Sequence, residues 1–165
     1  NEKYKQAQKI KSWNKNLYVK IPIVNTKGII LRNVIKKLNH EKIRINITAV
    51  FTLAQLKKIR SSINKKTSVI ISIFSGRIAD NGIDPEIIIK KSVQMFKKFK
   101  NVKILWASTR EVFNYYQAKR CGCHIITMGP KFIEKLKTKK IKLNDYSINT
   151  VKQFYSDGKK SRFKI

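Results

Sequence analysis

The amino-acid sequence predicts an α/β fold built on a parallel sheet. Short apolar runs rich in β-branched residues alternate with longer stretches whose apolar residues recur at helical spacing. No Gly/Ser-rich linker interrupts the alternation, and 42% of the 165 residues are hydrophobic, enough to bury a core. We therefore expect one domain over residues 1–165, arranged either as an open doubly wound sheet or as a (β/α)8 barrel.

Five short segments are predicted to be strands. An opening helix over about residues 1–13 precedes them, and a helix follows each one. One helix start is marked directly by Asp84-Pro-Glu86, because Asp84 can cap the helix and proline suits its first position. The predicted order is thus a helix and then five βα units, whose strands lie at 17–22, 44–50, 68–74, 102–107 and 124–128.

The chain is strongly basic. It has 38 basic and 9 acidic residues, a formal net charge of +29. Such a charge attracts polyanions through non-specific electrostatics. Most of the excess is lysine, it occurs in every segment, and isoleucine and asparagine are abundant too, as a genome biased to A and T would produce. We therefore expect the charge to be background, with no specific nucleic-acid partner.

Composition also bears on compartment and on metals. No segment is long enough to span a membrane, and the lysine-rich start does not resemble a secretory signal. We expect a soluble, cytoplasmic protein without a membrane partner. Cys121 and Cys123 are one residue apart, and His40 and His124 are the only histidines. This set predicts two free thiols and no metal site.

Polar residues lie where the predicted strands end, which is where both architectures place their chemistry. Lys20 stands between Val19 and Ile21, so its side chain points to the opposite face of the strand. The same alternation puts Asn46 with Thr48 on one face of the next strand. The candidate site residues are Lys20, Asn46, Thr48, Ser72, Phe74, Arg77, Ser108 and Arg110.

Lysine and arginine suggest the chemistry of this site. A lysine on the inner face of a buried strand is costly unless it is paired or neutral. A neutral amine attacks a carbonyl to form a Schiff base. The alternative is that Lys20 lies on a solvated edge strand. Arg77 and Arg110 offer forked donors that match a phosphate, and Ser108 adds a hydroxyl. We expect backbone N–H groups at a helix that starts near Arg110 to add further donors. The alternative is two surface arginines.

Several runs together resemble the successive strand-end motifs of transaldolases. They stand in that family's order and cover nearly the whole chain. The closest branch is the small-subunit one, which includes fructose-6-phosphate aldolases. The runs are Val-Lys-Ile-Pro (19–22), Ile-Asn-Ile-Thr (45–48) with Phe-Thr-Leu-Ala-Gln (51–55), Ser-Ile-Phe-Ser-Gly-Arg (72–77), Ala-Ser-Thr-Arg (107–110) and Thr-Met-Gly-Pro (127–130).

The resemblance implies a (β/α)8 barrel and a cofactor-free reaction. Lys20 matches the Schiff-base lysine, while Asn46 and Thr48 match the residues that hold the substrate hydroxyl and the catalytic water. The implied reaction passes a dihydroxyacetone unit from a ketose phosphate, such as fructose 6-phosphate, to an aldose phosphate, such as erythrose 4-phosphate. The other matches line the site (Ser72 and Phe74) or bind the sugar phosphate (Arg77, Ser108 and Arg110).

Two details refine these expectations. Phenylalanine at Phe74 favours transaldolase over fructose-6-phosphate aldolase, which usually has tyrosine there. In the family the Schiff-base lysine is on strand four, so this chain would hold only about the last five βα units. It would then lack the family's aspartate and glutamate from strands one and three. We expect the chain alone to lack normal turnover, as a sugar-phosphate-binding fragment, and the full-length protein to be a homo-oligomer.

Overall fold

The computed structural model describes residues 2–14, 16–138 and 140–161. The chain divides into two compact units, Asn1–Ile133 and Glu134–Ile165. The first unit contains the whole sheet and the candidate site. The second contains the end of one helix and all of the last one. The expectation of a single domain stays a prediction.

The first unit is a parallel sheet whose strands alternate with helices. Its helices are α1 (Glu2–Trp13), α2 (Arg32–His40), α3 (Leu53–Arg60), α4 (Ser75–Ala79), α5 (Pro85–Phe96) and α6 (Phe113–Arg120). The helix α7 (Pro130–Lys137) begins in the first unit and ends in the second, and α8 (Leu143–Ser161) belongs to the second. The strands are β1 (Val19–Pro22), β2 (Ile45–Val50), β3 (Val69–Ile73), β4 (Val102–Trp106) and β5 (Ile125–Ile126).

The strand order in the sheet is β1-β2-β3-β4-β5, and every pairing is parallel. This confirms the predicted α/β fold, as part of a (β/α)8 barrel. Each predicted strand contains an observed one, shortened where its ends belong to connections. The short helix α4 was not predicted, because five residues are too few to show a helical period.

The two faces of the sheet differ in burial. One row of aligned isoleucines crosses four strands, and each of its members is at most 5% exposed because the crossover helices cover this face. Burying one such side chain contributes about 1.5–3 kcal/mol. Lys20, Asn46 and Ser72 occupy the other face, which is the inner face of a barrel. The buried row is Ile21, Ile47, Ile71 and Ile104.

Local sequence signals place the helix starts. Asp84 caps α5, and its carboxylate accepts a hydrogen bond from the N–H of Glu86 at 2.8 Å, as predicted. Thr52 and Gln55 form a capping box at the start of α3, in which each side chain accepts a hydrogen bond from the other residue's N–H. The helix α3 therefore begins shortly after β2, whereas α4 separates β3 from the start of α5.

At the end of the sheet where the strands begin, here called the amino end, asparagine side chains join three connections. Asn39, at the end of α2, is fully buried, and its Oδ1 accepts from the N–H of Asn64 at 2.7 Å. Asn101, before β4, donates from Nδ2 to the carbonyl oxygens of Asn64 and Thr67 at 2.9 and 2.6 Å. These bonds fix the loops that precede β3 and β4.

Among the described residues, no helix is both long enough and apolar enough to cross a membrane. The longest, α8, has 19 residues, and polar side chains interrupt its apolar ones. Within α8, the hydroxyl of Thr150 donates to the carbonyl oxygen of Tyr146 at 2.8 Å.

Candidate functional site

A cavity of about 240 Å³ lies at the carboxyl end of the sheet, where the strands finish. Its lining comes from four neighbouring strands and the loops that follow them. Six of the eight predicted site residues line it, and Thr48 and Arg110 do not. The lining residues are Lys20, Asn46, Ser72, Phe74, Arg77, Leu105, Ala107, Ser108 and Thr127. Three larger cavities, of about 680, 640 and 480 Å³, contain none of the eight.

The cavity combines side chains from different register positions. Lys20 pairs with Asn46, and Asn46 pairs with Ile70, two residues before Ser72. Because strands in a barrel tilt, residues at the same height along the barrel axis are staggered in register. Ser72 bridges this stagger, since its Oγ donates to Oδ1 of Asn46 at 2.7 Å. That bond orients the Asn46 amide beside the lysine.

The side chain of Lys20 is exposed. The sequence had predicted a lysine on the inner face of a buried strand. The reason is topological: β1 is the edge of the described sheet and has β2 as its one neighbouring strand. The burial argument for an activated amine is therefore wrong for this sheet. The predicted face is right, because Lys20 lines the cavity with Asn46.

Thr48 lies at an irregularity of β2 beside the cavity. Register with β3 shifts between Ile47 and Val50, and Ala49 has a φ of 56°. Oγ1 of Thr48 is buried and has no hydrogen-bond partner among the described residues. An unsatisfied buried polar group costs about 1–3 kcal/mol. Thr48 does not line the cavity, although it lies on the same face of β2 as Asn46.

Two loops meet very closely at the rim of the cavity. The backbone at Ser108 has a φ of 64°. A Cβ added to Gly76 would lie 1.6 Å from the carbonyl oxygen of Ser108, so only glycine fits there. The N–H of Gly76 donates to the carbonyl oxygen of Ala107 at 3.4 Å. This contact brings Arg77 and Ser108 to one cavity. The sequence feature that could have indicated the contact is Gly76, a single glycine shortly after β3.

The two predicted phosphate-binding arginines have different surroundings. The Arg77 guanidinium lies 5.2 Å from the centre of the Phe74 ring and lines the cavity. Arg110 instead forms a two-point salt bridge with Asp80, with Nη2 to Oδ2 at 2.6 Å and Nε to Oδ1 at 3.3 Å. The hydrogen bonds and charge of Asp80 raise the pKa of Arg110. Of the two arginines, Arg77 is thus the one whose guanidinium lies at the cavity and is not paired with Asp80.

The backbone after β4 also departs from expectation. We expected free N–H groups at a helix start near Arg110. The helix α6 begins at Phe113, and Oδ1 of Asn114 accepts from the N–H groups of Arg110 and Glu111 at 2.8 and 3.2 Å. That part of the phosphate-site prediction is wrong, because a side chain later in the sequence satisfies these donors.

The cysteines and acidic residues show no metal centre. In residues 2–14, 16–138 and 140–161, no group of three or more His, Cys, Asp or Glu side chains could hold a metal ion. Burial, together with the neighbouring Glu86 carboxylate, raises the pKa of the Cys121 thiol to about 12. Burial also raises the pKa of Cys123. Both thiols therefore stay protonated at neutral pH and are poor nucleophiles.

The fold and the cavity define an α/β protein of the (β/α)8 class, with a lysine-containing site at the carboxyl ends of its strands. A profile of the family described as Transaldolase/Fructose-6-phosphate aldolase matches residues 1–165. The chain belongs to this family.

Relatives support the same assignment. A protein named "Probable transaldolase" from Streptococcus agalactiae serotype V is 31% identical over 162 residues, covering 97% of this chain and 70% of the relative. One of the same name from Herpetosiphon aurantiacus is 30% identical over 137 residues, covering 82% of this chain. The chain spans 58% of that relative's length and 69% of a third, from a Thermoanaerobacter species, at 30% identity.

Proposed function

We propose that this protein is a transaldolase in which Lys20 forms the Schiff base. The observation that carries the proposal is the cavity in which Lys20, Asn46, Ser72, Phe74, Arg77 and Ser108 meet. It combines an amine, a hydrogen-bonded amide and a guanidinium in one volume. A phosphorylated ketose requires that combination: a nucleophile for the carbonyl, donors for hydroxyls and a cation for the phosphate.

The proposed reaction begins with attack of Lys20 Nζ on the ketose carbonyl carbon. Loss of water gives an iminium ion. The bond between C3 and C4 then breaks as the C4 hydroxyl loses its proton, which releases an aldose phosphate. The iminium nitrogen receives the electron pair, leaving a three-carbon enamine. The enamine attacks the aldehyde carbon of a second aldose phosphate, and hydrolysis of the new iminium frees Lys20 and the product.

Other residues have positioning roles in this proposal. Ser72 fixes the Asn46 amide toward the substrate hydroxyls. The buried Thr48 hydroxyl is suited to hold the water that hydrolyses the iminium. Arg77 binds the phosphate with Ser108, while Arg110 contributes through its salt bridge to Asp80 at the rim. Aldolase activity on fructose 6-phosphate uses the same groups without an acceptor sugar.

A second candidate is a sugar-phosphate-binding chain with little turnover. Its support is the distribution of acidic residues. None of the nine carboxylates in the sequence lies on a strand of the described sheet, and so none reaches the inner face from a strand. Proton transfer at C4 would then lack its usual carboxylate, a loss of about 10²–10⁴ in rate. This chain would form the Schiff base without completing the reaction efficiently.

Reductive trapping tests both candidates. The chain is incubated with fructose 6-phosphate and borohydride, digested, and examined by mass spectrometry. We expect the sugar-derived mass on the peptide that contains Lys20, and its loss in Lys20→Met. Lys103→Met is the control, because Lys103 is exposed on the same sheet face through its register with Ile70. An adduct on another lysine, with Lys20 unmodified, contradicts the proposal.

Two further arms extend the experiment. Arg77→Ala should raise the fructose 6-phosphate concentration needed for half-maximal trapping by about tenfold to a hundredfold. It should leave trapping of unphosphorylated dihydroxyacetone unchanged. Turnover is then assayed with and without erythrose 4-phosphate. Product formation that requires the acceptor supports transaldolase, and cleavage without it indicates aldolase. Trapping at Lys20 without turnover supports the second candidate.

A further inference from the structure

The positive charge is concentrated at the amino end of the sheet. Between α2 and β2, α3 and β3, and α5 and β4, the connections contain seven cations against one carboxylate, Glu41. That carboxylate is occupied elsewhere, since it accepts hydrogen bonds from the hydroxyl of Tyr4 at 2.7 and 2.8 Å and from Nε2 of Gln8 at 2.6 Å. The cations are Lys42, Arg44, Lys65, Lys66, Lys97, Lys98 and Lys100.

The carboxyl end has no such excess in its connections. The segments between β1 and α2, β3 and α5, and β4 and α6 contain three cations, Lys27, Arg77 and Arg110, and three carboxylates, Asp80, Asp84 and Glu111. The expectation that the charge is background stays a prediction, although the acidic residues of the first unit are unevenly distributed. Lysine occurs in every segment of the sequence, but the acidic residues that offset it lie mainly at the end that carries the Lys20 cavity.

Helix dipoles explain only part of this distribution. Cations in the last turn of a helix are stabilised by its partial negative charge, which accounts for Lys57, Lys58 and Arg60 in α3. The effect fades beyond that turn. It gives no reason for Lys65, Lys66 or Lys100, which lie well past the helix ends.

A groove of about 640 Å³ opens among these cations, between the ends of α3 and α5. Lys57, Arg60 and Lys65 line it, and no acidic residue does. Nε of Arg60 donates to the carbonyl oxygen of Met95 at 3.3 Å, and its guanidinium lies 5.4 Å from the centre of the Phe99 ring. The groove thus has a hydrogen-bonded guanidinium, two ammonium groups and one aromatic ring in its lining.

We propose that this groove, with the cationic connections around it, binds single-stranded nucleic acid without sequence preference. Cations that track a phosphate backbone, next to an aromatic and amide side chains, are the features that such binding uses. The groove is concave, and a flexible single strand can enter it more readily than a rigid duplex can. The surface lies at the end of the sheet opposite Lys20, so sugar-phosphate chemistry and strand binding use different parts of the unit.

The test measures binding of a fluorescein-labelled oligouridylate by anisotropy over a range of KCl concentrations. The variant is the triple charge reversal Lys57→Glu, Arg60→Glu and Lys65→Glu. Its matched control reverses Lys5, Lys27 and Lys131, which are also exposed and in the first unit, so both proteins have the same net charge. Thermal unfolding and trapping at Lys20 verify that both variants are folded.

We expect the groove variant to bind at least about tenfold more weakly than the parent at low salt. The slope of log K against log salt should fall by about 2, near 0.7 for each lost phosphate contact on a single strand. The control variant should retain most of the affinity and slope. Equal weakening in both variants would show that net charge alone drives binding and would overturn the proposal.

Three other results would also overturn it. One is no binding of the oligouridylate by the parent protein in low salt. Another is tighter binding to an RNA duplex of the same length than to the single strand. The third is stronger dependence on the groove residues for phosphatidylserine vesicles than for the oligonucleotide, which would identify the surface as one for anionic lipid.

Discussion

The two ends of the sheet differ in hydrogen bonding and in backbone conformation. At the amino end, the side chains of the buried Asn39 and of Asn101 both bind the loop that contains Asn64 and Thr67. At the carboxyl end, Ala49 and Ser108 have positive φ values of 56° and 64°. Thr48 there leaves a buried hydroxyl unpaired. Strain and unmet hydrogen bonding are thus concentrated where the Lys20 cavity lies.

Positive φ values and unpaired buried atoms also occur at the amino end of the sheet. The amino end has one positive φ of its own, 61° at Lys42, and one unpaired buried atom, Oδ1 of Asn101. Neither residue lines the Lys20 cavity, whereas Ser108 does. The comparison therefore suggests a division of labour, in which the amino end supports stability and the carboxyl end supports chemistry. Substitutions at the two ends should separate these properties.

The largest effect is expected for Gly76→Ala at the carboxyl end. The added methyl group would overlap the carbonyl oxygen of Ser108 at 1.6 Å, so one of the two loops must move. The atom that the methyl group would meet belongs to the backbone of Ser108, so no flexible side chain can move aside. We expect a loss of about 3 kcal/mol or more in the free energy of unfolding, at the upper end for overpacking. Trapping should also need a higher concentration of fructose 6-phosphate, because Arg77 and Ser108 separate.

Gly158→Ala is the control for that change. Gly158 lies in α8 with no heavy atom within 4 Å of an added Cβ, so alanine should stabilise the helix by about 0.5–1 kcal/mol. Urea denaturation measures both variants. A Gly76→Ala protein with parental stability and parental trapping would refute the close contact of the two loops.

At the amino end, Asn39→Ala should reduce stability without reducing trapping. The substitution leaves the half-buried N–H of Asn64 without its acceptor, at a cost of about 1–3 kcal/mol. Asn33→Ala is the control on the same helix, where the side chain is exposed and alanine favours the helix. The division of labour fails if Asn39→Ala abolishes trapping while the protein remains folded.

The smallest effect concerns Glu86, which links α5 to α6 away from both ends. Hydrogen bonding by Arg120 outweighs burial, with help from Gln117 and Lys90, and lowers its pKa from 4.5 to about 2. A lowered folded pKa means that the charged form stabilises the fold. This stabilisation is complete above about pH 4.5 and is lost as the pH falls toward 2.

Glu86→Gln should therefore cost about 1–2 kcal/mol at pH 7, a figure reduced because Arg120 is half exposed. The difference from the parent should shrink below pH 4.5 and disappear near pH 2. Glu111→Gln removes the same charge from an exposed loop residue and should have little effect. Urea denaturation at several pH values measures the difference, and a pH-independent gap would contradict the assignment.

Much of the fold follows from local sequence. The five strands, the cap at Asp84 and the side of β1 that carries Lys20 depend on residue spacing within a few positions. Alternation of strands and helices is sufficient for a parallel sheet. The strand-end motifs then named the residues of the cavity, and six of the eight line it. Spacing could not give the exposure of Lys20, which depends on β1 having one neighbour in the sheet.

The sequence by itself thus determined the elements, their order and the faces of the strands. The tertiary structure decided which distant groups meet. Asp80 engages Arg110, Glu86 pairs with Arg120, and Gly76 abuts Ser108. Each pair joins residues about thirty positions apart, roughly one βα unit, so no local period connects them. Packing neighbouring units side by side creates these contacts, and the same packing gathers the cations at the amino end.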